Sequence, residues 1–231
     1  MVKYIRSEEC MKIIVFEGID GTGKSVQLEI LARRLRADGL RVREMSFPMY
    51  DTFFGARVGH YLTGKDGLRA DTVDGKSMAL WFALDRRKAF EGFDYASCDV
   101  LLINRYALSN AVYQSIRDCD AGKPEILDFI LELEYEQFGI PRPDIQLVLD
   151  MDTEDAAENV GKKGYRDYVG NEKDVYELGG TIQERARNKY RIIAKKLPGL
   201  TLIPCMARGK LKSIDEIAEL IWQACAGLIG V

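Results

Sequence analysis

No run of apolar residues in this chain reaches the ~18 to 20 positions needed to cross a bilayer. The first ten residues carry Lys3, Arg6, Glu8 and Glu9 in place of an apolar leader, so neither a membrane nor a targeting segment is expected. Cysteine is sparse: Cys10, Cys98, Cys119, Cys205 and Cys225 are odd in number, widely spaced and without a C-x-x-C pair, which argues against a disulfide framework and against a zinc site. A reducing cytoplasm is the expected compartment. An excess of one charge is also missing. The 33 basic and 36 acidic residues are spread along the chain and leave a formal charge of −3. No basic tail or patch therefore points to a nucleic-acid polymer, whereas small anionic ligands stay compatible. Repeats and low-complexity linkers are absent too, and 231 residues suit one α/β domain with a lid or insert.

What is present is a rhythm of short β-branched runs alternating with longer helical patterns, which predicts a doubly wound parallel sheet flanked by helices. Five buried strands are expected, at Ile13–Phe16, Val42–Ser46, Val100–Asn104, Ile145–Asp150 and Leu200–Pro204, each a continuous apolar run suited to cover on both faces. Between the first two, Leu28, Leu31 and Leu35 follow helical spacing and Gly39 stands where a helix would stop. Further helices are expected around Met78–Phe90, Ala107–Arg117, Pro124–Phe138, Thr181–Lys196 and Ser213–Ala226, with residues 161–173 as an irregular lid. Met11 opens the first apolar run, so residues 1–10 are expected as an extension outside the fold, open to disorder, and 11–231 as a single domain.

Directly after the first strand comes Gly18-Ile19-Asp20-Gly21-Thr22-Gly23-Lys24-Ser25, which satisfies G-x-x-x-x-G-K-[ST] and opens a helix that continues with Val26. The glycines permit a loop whose N–H groups turn inward on phosphate oxygens, and the helix N-terminus adds partial positive charge. Lys24 is expected to neutralise the transferring phosphates of ATP, and Ser25 to place its hydroxyl on the Mg²⁺ that bridges them. The bland alternative is a glycine-rich turn that binds nothing; the strand before and the helix after weigh against it. Asp20 is unusual here, because bound triphosphate repels a carboxylate. It suits a sugar hydroxyl of the acceptor, or else a turn in which it bonds its own backbone.

Two further constellations stand out. Asn104-Arg105-Tyr106 ends the third strand, where an open sheet presents its ligand-binding residues. From there Tyr106, Asn110, Tyr113 and Arg117 share one helix face, suited either to a sugar and base or to solvent. On another helix Phe82 and Arg86 lie one turn apart, where an aromatic face could stack a base and a guanidinium donate to its carbonyl or to a phosphate. The competing reading makes Phe82 core and pairs Arg86 with a surface acid.

Together these pieces resemble the thymidylate kinase family, bacterial branch, over almost the whole chain from about Met11. Phe16 to Ser25 is similar to that family's P-loop, with Asp20 its acceptor-sugar carboxylate; Phe47-Pro48-Met49-Tyr50 resembles its Phe-Pro-x-Tyr turn near the monophosphate. Phe82-Ala83-Leu84-Asp85-Arg86 resembles the helix whose Phe stacks thymine and whose Arg reaches the base carbonyl. Arg105-Tyr106, Ser109-Asn110 and Tyr113-Gln114 resemble the segment in which the Arg holds the acceptor phosphate, Asn or Gln contacts the base, and Tyr crowds the 2′ position of a ribose. Pro141-Arg142-Pro143-Asp144 is similar to the lead into the fourth strand, and Asp174, Tyr176 and Glu177 to the post-lid Asp-x-Tyr-Glu. Gly21, in place of an arginine, marks the branch whose lid supplies the catalytic cations, here Lys162, Lys163 and Arg166, which bottom-up reading equally allows as a solvated basic loop.

The resemblance implies a P-loop nucleoside monophosphate kinase fold, ATP and Mg²⁺ as donor and ion, dTMP as acceptor, and a homodimer. One departure bears on mechanism: the family's Asp-Arg-Tyr begins here with Asn104, a neutral amide that can still bond a metal-bound water but lacks the charge that helps hold Mg²⁺. A nucleotide-binding regulator with reduced turnover, or a kinase for another nucleoside monophosphate, are the alternatives. A signalling GTPase is disfavoured, since N-K-x-D is missing and the nearest string, Asn188-Lys189-Tyr190-Arg191, ends in the wrong charge.

Overall fold

The computed structural model describes residues 11–162 and 180–230. Five parallel strands, β1 (Lys12–Glu17), β2 (Val42–Ser46), β3 (Val100–Asn104), β4 (Ile145–Asp150) and β5 (Leu200–Pro204), form one sheet in the order β2-β3-β1-β4-β5. The expected strands hold to within a residue, but β2 is not the buried apolar run expected: it lies at the sheet edge, with Arg43, Glu44 and Ser46 exposed. Alternation along the strands builds two core layers. Ile14 and Phe16 of β1 pack on one side with Leu28, Leu31 and Leu35 of α1 (Lys24–Ala37), while Ile13 and Val15 pack on the other with Leu101, Ile103 and Phe90. Both faces are therefore covered, and the carboxyl ends of β1 to β4 come together at one rim, with the P-loop after β1 in the middle.

The helices agree less closely with the sequence pattern. Helix α3 (Gly75–Phe90) and helix α4 (Ala107–Asp120) lie where expected, but α2 (Phe53–Thr63) was not anticipated. Two of its four buried positions are Gly55 and Gly59, which no apolar periodicity registers. A Cβ on Gly55 would lie 1.8 Å from the Met49 carbonyl oxygen, so the helix docks by the smallness of these residues. Thr52 caps it, accepting from Gly55 N at 3.1 Å. The expected Pro124–Phe138 helix is shorter and divided: α5 (Leu127–Glu132) passes into a π-helical turn over Leu133–Gln137. Helix α6 (Thr153–Lys162) is a correction to the lid's start, because residues 161 and 162 end a helix and are not irregular chain. Lys163, Arg166, Asp174, Tyr176 and Glu177, the rest of the expected lid, and residues 1–10 lie outside the described residues. Helices α7 (Gly180–Ala194) and α8 (Ile214–Ile229) complete the layers, and a short hairpin, β6 (Met206–Ala207) with β7 (Lys210–Leu211), lies between β5 and α8. Among the described residues no helix is long and apolar enough to cross a membrane.

Candidate active site

One cavity runs along the rim from the P-loop to α3 and α4. At its phosphate end the chain turns through Gly18, Gly21 and Gly23, all with positive φ, before α1 begins at Lys24. Thr22 Oγ1 braces the loop on the Ile19 carbonyl at 3.0 Å, and Lys24 Nζ donates to the Ile19 and Gly18 carbonyls at 2.6 and 3.1 Å. Of the residues expected to hold ATP, Gly21, Gly23, Lys24, Ser25 and Val26 line the cavity. Gly18 lies behind it against β4, where a Cβ would stand 2.8 Å from the Leu149 carbonyl oxygen.

The carboxyl ends of β2 and β3 supply the next group. Asn104 Nδ2 lies 3.2 Å from both Ser25 Oγ and Ser46 Oγ, and its buried Oδ1 has no partner among the described residues. A serine hydroxyl beside an unsatisfied amide oxygen is a set of hard, neutral oxygen donors. No cluster of three or more His, Cys, Asp or Glu suited to a metal occurs among the described residues. The donors present fit a Mg²⁺ held chiefly by phosphates and water, with Ser25 as direct ligand, and do not fit an all-protein cage.

Arg105 takes a left-handed backbone, φ 64°, uncommon for a side chain of its size and concentrated at functional sites. The turn lets its N–H reach the Phe16 carbonyl at 2.9 Å and sends its guanidinium into the cavity. There Nη2 pairs with Asp20 Oδ1 at 2.5 Å and Nη1 donates to Ser109 Oγ at 3.1 Å. Asp20 thus bonds neither its own backbone nor solvent alone. Gln183 of α7 donates Nε2 to Asp20 Oδ2 at 2.9 Å, and its Oε1 accepts from Asp20 N at 3.2 Å and from the Tyr113 hydroxyl at 2.9 Å. Burial pushes the Asp20 carboxyl up, but Arg105 and Lys24 outweigh it and hold the pKa down to about 2.

Beneath this layer, Glu17 at the end of β1 is buried and acts as a cap for α4 from another element. It accepts from Tyr106 N at 2.9 Å, Ser109 N at 3.3 Å, Ser109 Oγ at 2.5 Å and the Tyr190 hydroxyl at 2.9 Å. Burial raises its pKa against the opposing pull of those bonds and of Arg105.

The far end carries the aromatic and amide groups. Phe47, Pro48, Tyr50, Phe82, Arg86, Asn110, Tyr113 and Gln114 all line the same cavity. The Phe47–Pro48 peptide is cis, and the turn that follows hangs on Asp85, whose carboxylate accepts from Met49 N at 2.9 Å and Thr52 Oγ1 at 3.0 Å. One expectation about the α4 stripe is corrected. Tyr106 lines the cavity although it is almost wholly buried, with its hydroxyl donating to the Pro141 carbonyl at 2.9 Å. Arg117 turns away to the Ala70 and Val73 carbonyls and Gln114 Oε1, so that position holds the fold while Tyr106, Asn110 and Tyr113 line the cavity. Nor does Arg86 pair with a surface acid. It forms a two-point ion pair with the fully buried Glu134. Asp144, of the Pro-x-Pro-Asp lead, accepts from Ile13 N at 2.9 Å and registers β4 on β1.

Gln183, Glu17, Asp85 and Glu134 were not singled out by sequence. Glu134 alone left a trace: it follows the buried Ile126 and Ile130 at intervals of four, a charge on an apolar stripe.

The family model of thymidylate kinase matches residues 16–199. Thymidylate kinase from Mycobacterium tuberculosis is 32% identical over 185 residues, covering 79% of this chain and 85% of that protein. A putative thymidylate kinase from Treponema pallidum is 30% identical over 213 residues, covering 88% and 90%. Among solved structures, a thymidylate kinase from Candida albicans matches with a TM-score of 0.69 at 22% identity, covering 95% of this chain and 92% of that one, a likeness of fold.

Proposed function

Because the chain belongs to the thymidylate kinase family, whose members phosphorylate dTMP with ATP, we propose that its cavity performs this transfer with the residues named above. The carrying observation is continuity: Lys24 and Ser25 at one end and Phe82, Arg86, Asn110 and Tyr113 at the other line a single space, so donor and acceptor phosphates meet without a protein carrier. The P-loop N–H groups, with Gly18, Gly21, Thr22 and Gly23 shaping the loop, hold the donor phosphates. Lys24 exchanges its loop carbonyls for phosphate oxygens. Ser25 and, by way of water, Asn104 would hold Mg²⁺, which would supply charge neutralisation on the phosphates.

Arg105 orients the acceptor phosphate, near Phe47, Pro48 and Tyr50, and Asp20 accepts from the sugar hydroxyl. Phe82 stacks the base, and Asn110 and Arg86 meet its polar edge beside Gln114. Lys162, Lys163, Arg166 and Tyr176 belong to the same reading as lid and post-lid residues. No covalent intermediate is needed. ADP release from ATP, measured with each nucleoside monophosphate in turn, tests the reading: dTMP should be the preferred acceptor, and ADP release independent of every acceptor would refute it.

Tyr113, which lines the cavity, crowds a 2′-hydroxyl in this proposal. Tyr113→Ala should raise kcat/KM for UMP relative to dTMP by roughly tenfold, the scale on which small steric differences discriminate. Tyr113→Phe, which keeps the ring, should leave that ratio near wild type. An equal ratio in all three proteins would take Tyr113 out of the sugar pocket.

The regulator reading draws on Asn104, and a single variant separates it from a working enzyme. Asn104→Asp should lower the Mg²⁺ concentration for half-maximal rate by about five- to thirtyfold, as a neutral hydrogen bond becomes charge-assisted. If wild type and variant both bind ATP yet phosphorylate nothing, the regulator is favoured.

A homodimer formed through helix faces and a cytoplasmic location complete the proposal. Phe53 on α2 and Leu80 on α3 are exposed apolar side chains that support the first, which sedimentation of the purified chain would check.

A further inference from the structure

Asn110 is an amide at the base end whose sense is dictated by its surroundings. Its Nδ2 donates to the Ala79 carbonyl of α3 at 3.0 Å and to Glu134 Oε1 at 2.9 Å, which uses both amide hydrogens. Its Oδ1 is buried, has no partner among the described residues, and belongs to a side chain that lines the cavity. The reversed amide would set an oxygen against the carbonyl and the carboxylate, two acceptors, and is excluded. Glu134 does not line the cavity. It is fully buried, rises from the π-helical turn after α5, and accepts from Arg86 Nη2 at 2.6 Å and from Arg86 Nε through its other oxygen. One carboxylate thus orients both polar groups that meet a base: an acceptor from Asn110 beside a donor from Arg86.

We propose that Glu134 is the positioning residue that makes the pocket selective for pyrimidines with an imide edge, because its carboxylate, together with the Ala79 carbonyl, locks Asn110 with the amide oxygen facing the ligand. Thymine and uracil present an N3–H donor flanked by carbonyl acceptors and complement that pattern. Cytosine presents N3 as an acceptor and a 4-amino donor, so it sets the Asn110 amide oxygen against the N3 lone pair and leaves a buried polar atom unpaired, which is the strongest route to discrimination against a close analogue. Methyl-dependent choice between thymine and uracil lies outside this device. The inference rests on the acceptor reading above, that a pyrimidine monophosphate occupies the Phe82 end of the cavity.

The test compares kcat/KM for dTMP and dCMP in wild type, Glu134→Gln and Glu134→Asp. The glutamine can donate to a reversed Asn110, which leaves the Ala79 carbonyl as the one acceptor opposing the reversal, so the dTMP to dCMP ratio should fall by about tenfold, while Kd for ATP and the KM for ATP stay near wild type. Aspartate keeps the charge and should retain most of the ratio. A merely structural residue would lower both acceptors together and leave the ratio fixed, and that result overturns the proposal. Leaving Arg86 without its counter-charge risks the fold. If E134Q does not fold, the double variant Arg86→Met with Glu134→Met removes both charges together, and an unchanged ratio there overturns the proposal equally. A wild-type chain that uses dTMP and dCMP alike refutes the acceptor reading instead, and the two failures are thereby told apart.

Discussion

Lys24→Met is expected to lower kcat by roughly 10²- to 10³-fold, the scale of removing one charged stabiliser of a transferring group. Lys24 is buried and its ammonium lies on the Ile19 and Gly18 carbonyls, poised at the loop that receives the phosphates. Methionine has nearly the same length and fills the same space, so the packing of α1 on the sheet, carried by Leu28, Leu31 and Leu35, is left alone. The loss is of charge stabilisation realised most strongly in the transition state, and ATP affinity should fall less than kcat. Single-turnover kinetics, a binding isotherm for ATP and a thermal melt separate these quantities. Turnover near wild type would remove the P-loop from the mechanism; a lost melting transition would mean that the loop carbonyls depend on the ammonium for folding.

Gly21→Arg should destabilise the protein by about 2 to 5 kcal/mol and lower, not raise, activity. Placing an arginine here looks attractive because it would add a cation beside the transferring phosphate. The structure forbids it for two independent reasons. Gly21 has φ 83°, a left-handed conformation that costs a residue with a Cβ roughly 1 to 2 kcal/mol. A Cβ there would also stand 1.9 Å from the Ala156 carbonyl oxygen, in the body of α6, and relieving such overpacking costs about 1 to 3 kcal/mol. Helix α6 can yield only by moving away from the loop, where Asn159 Nδ2 bonds the Gly21 carbonyl at 3.1 Å. The melting temperature should drop by about 5 to 15 °C for a chain of this size. An unshifted melting curve would show that α6 is not fixed against the P-loop, and a gain in kcat would show that the added charge outweighs the displacement.

The central strands were legible because β1 and β3 are buried on both faces and read as nearly unbroken apolar runs; β2, an edge strand exposed at Arg43, Glu44 and Ser46, carries that signal only weakly. The P-loop was legible because its chemistry is local: eight consecutive residues suffice to form an anion cradle. Helix α2 was not, since it is held by Gly55 and Gly59 in close approach to the 49–50 turn, and absence of a side chain leaves no periodic signal. Helix α6 was not expected at all, because its buried contacts, Ala156 and Val160, are small and few, and Gly161 with the adjoining lysine at its end suggested a loop.

The sequence by itself determined the sheet, the phosphate loop and which residues could face a nucleotide, because those depend on neighbours a few positions away. What only the tertiary structure decided is how these side chains are held. Arg86 meets Glu134 across 48 residues and Asp20 meets Gln183 across 163. Arg117 left the cavity for the carbonyls of another loop. No local pattern specifies which distant acceptor satisfies a buried donor; that follows from the chain's path through space, and burial makes the pairing obligatory once the path is set.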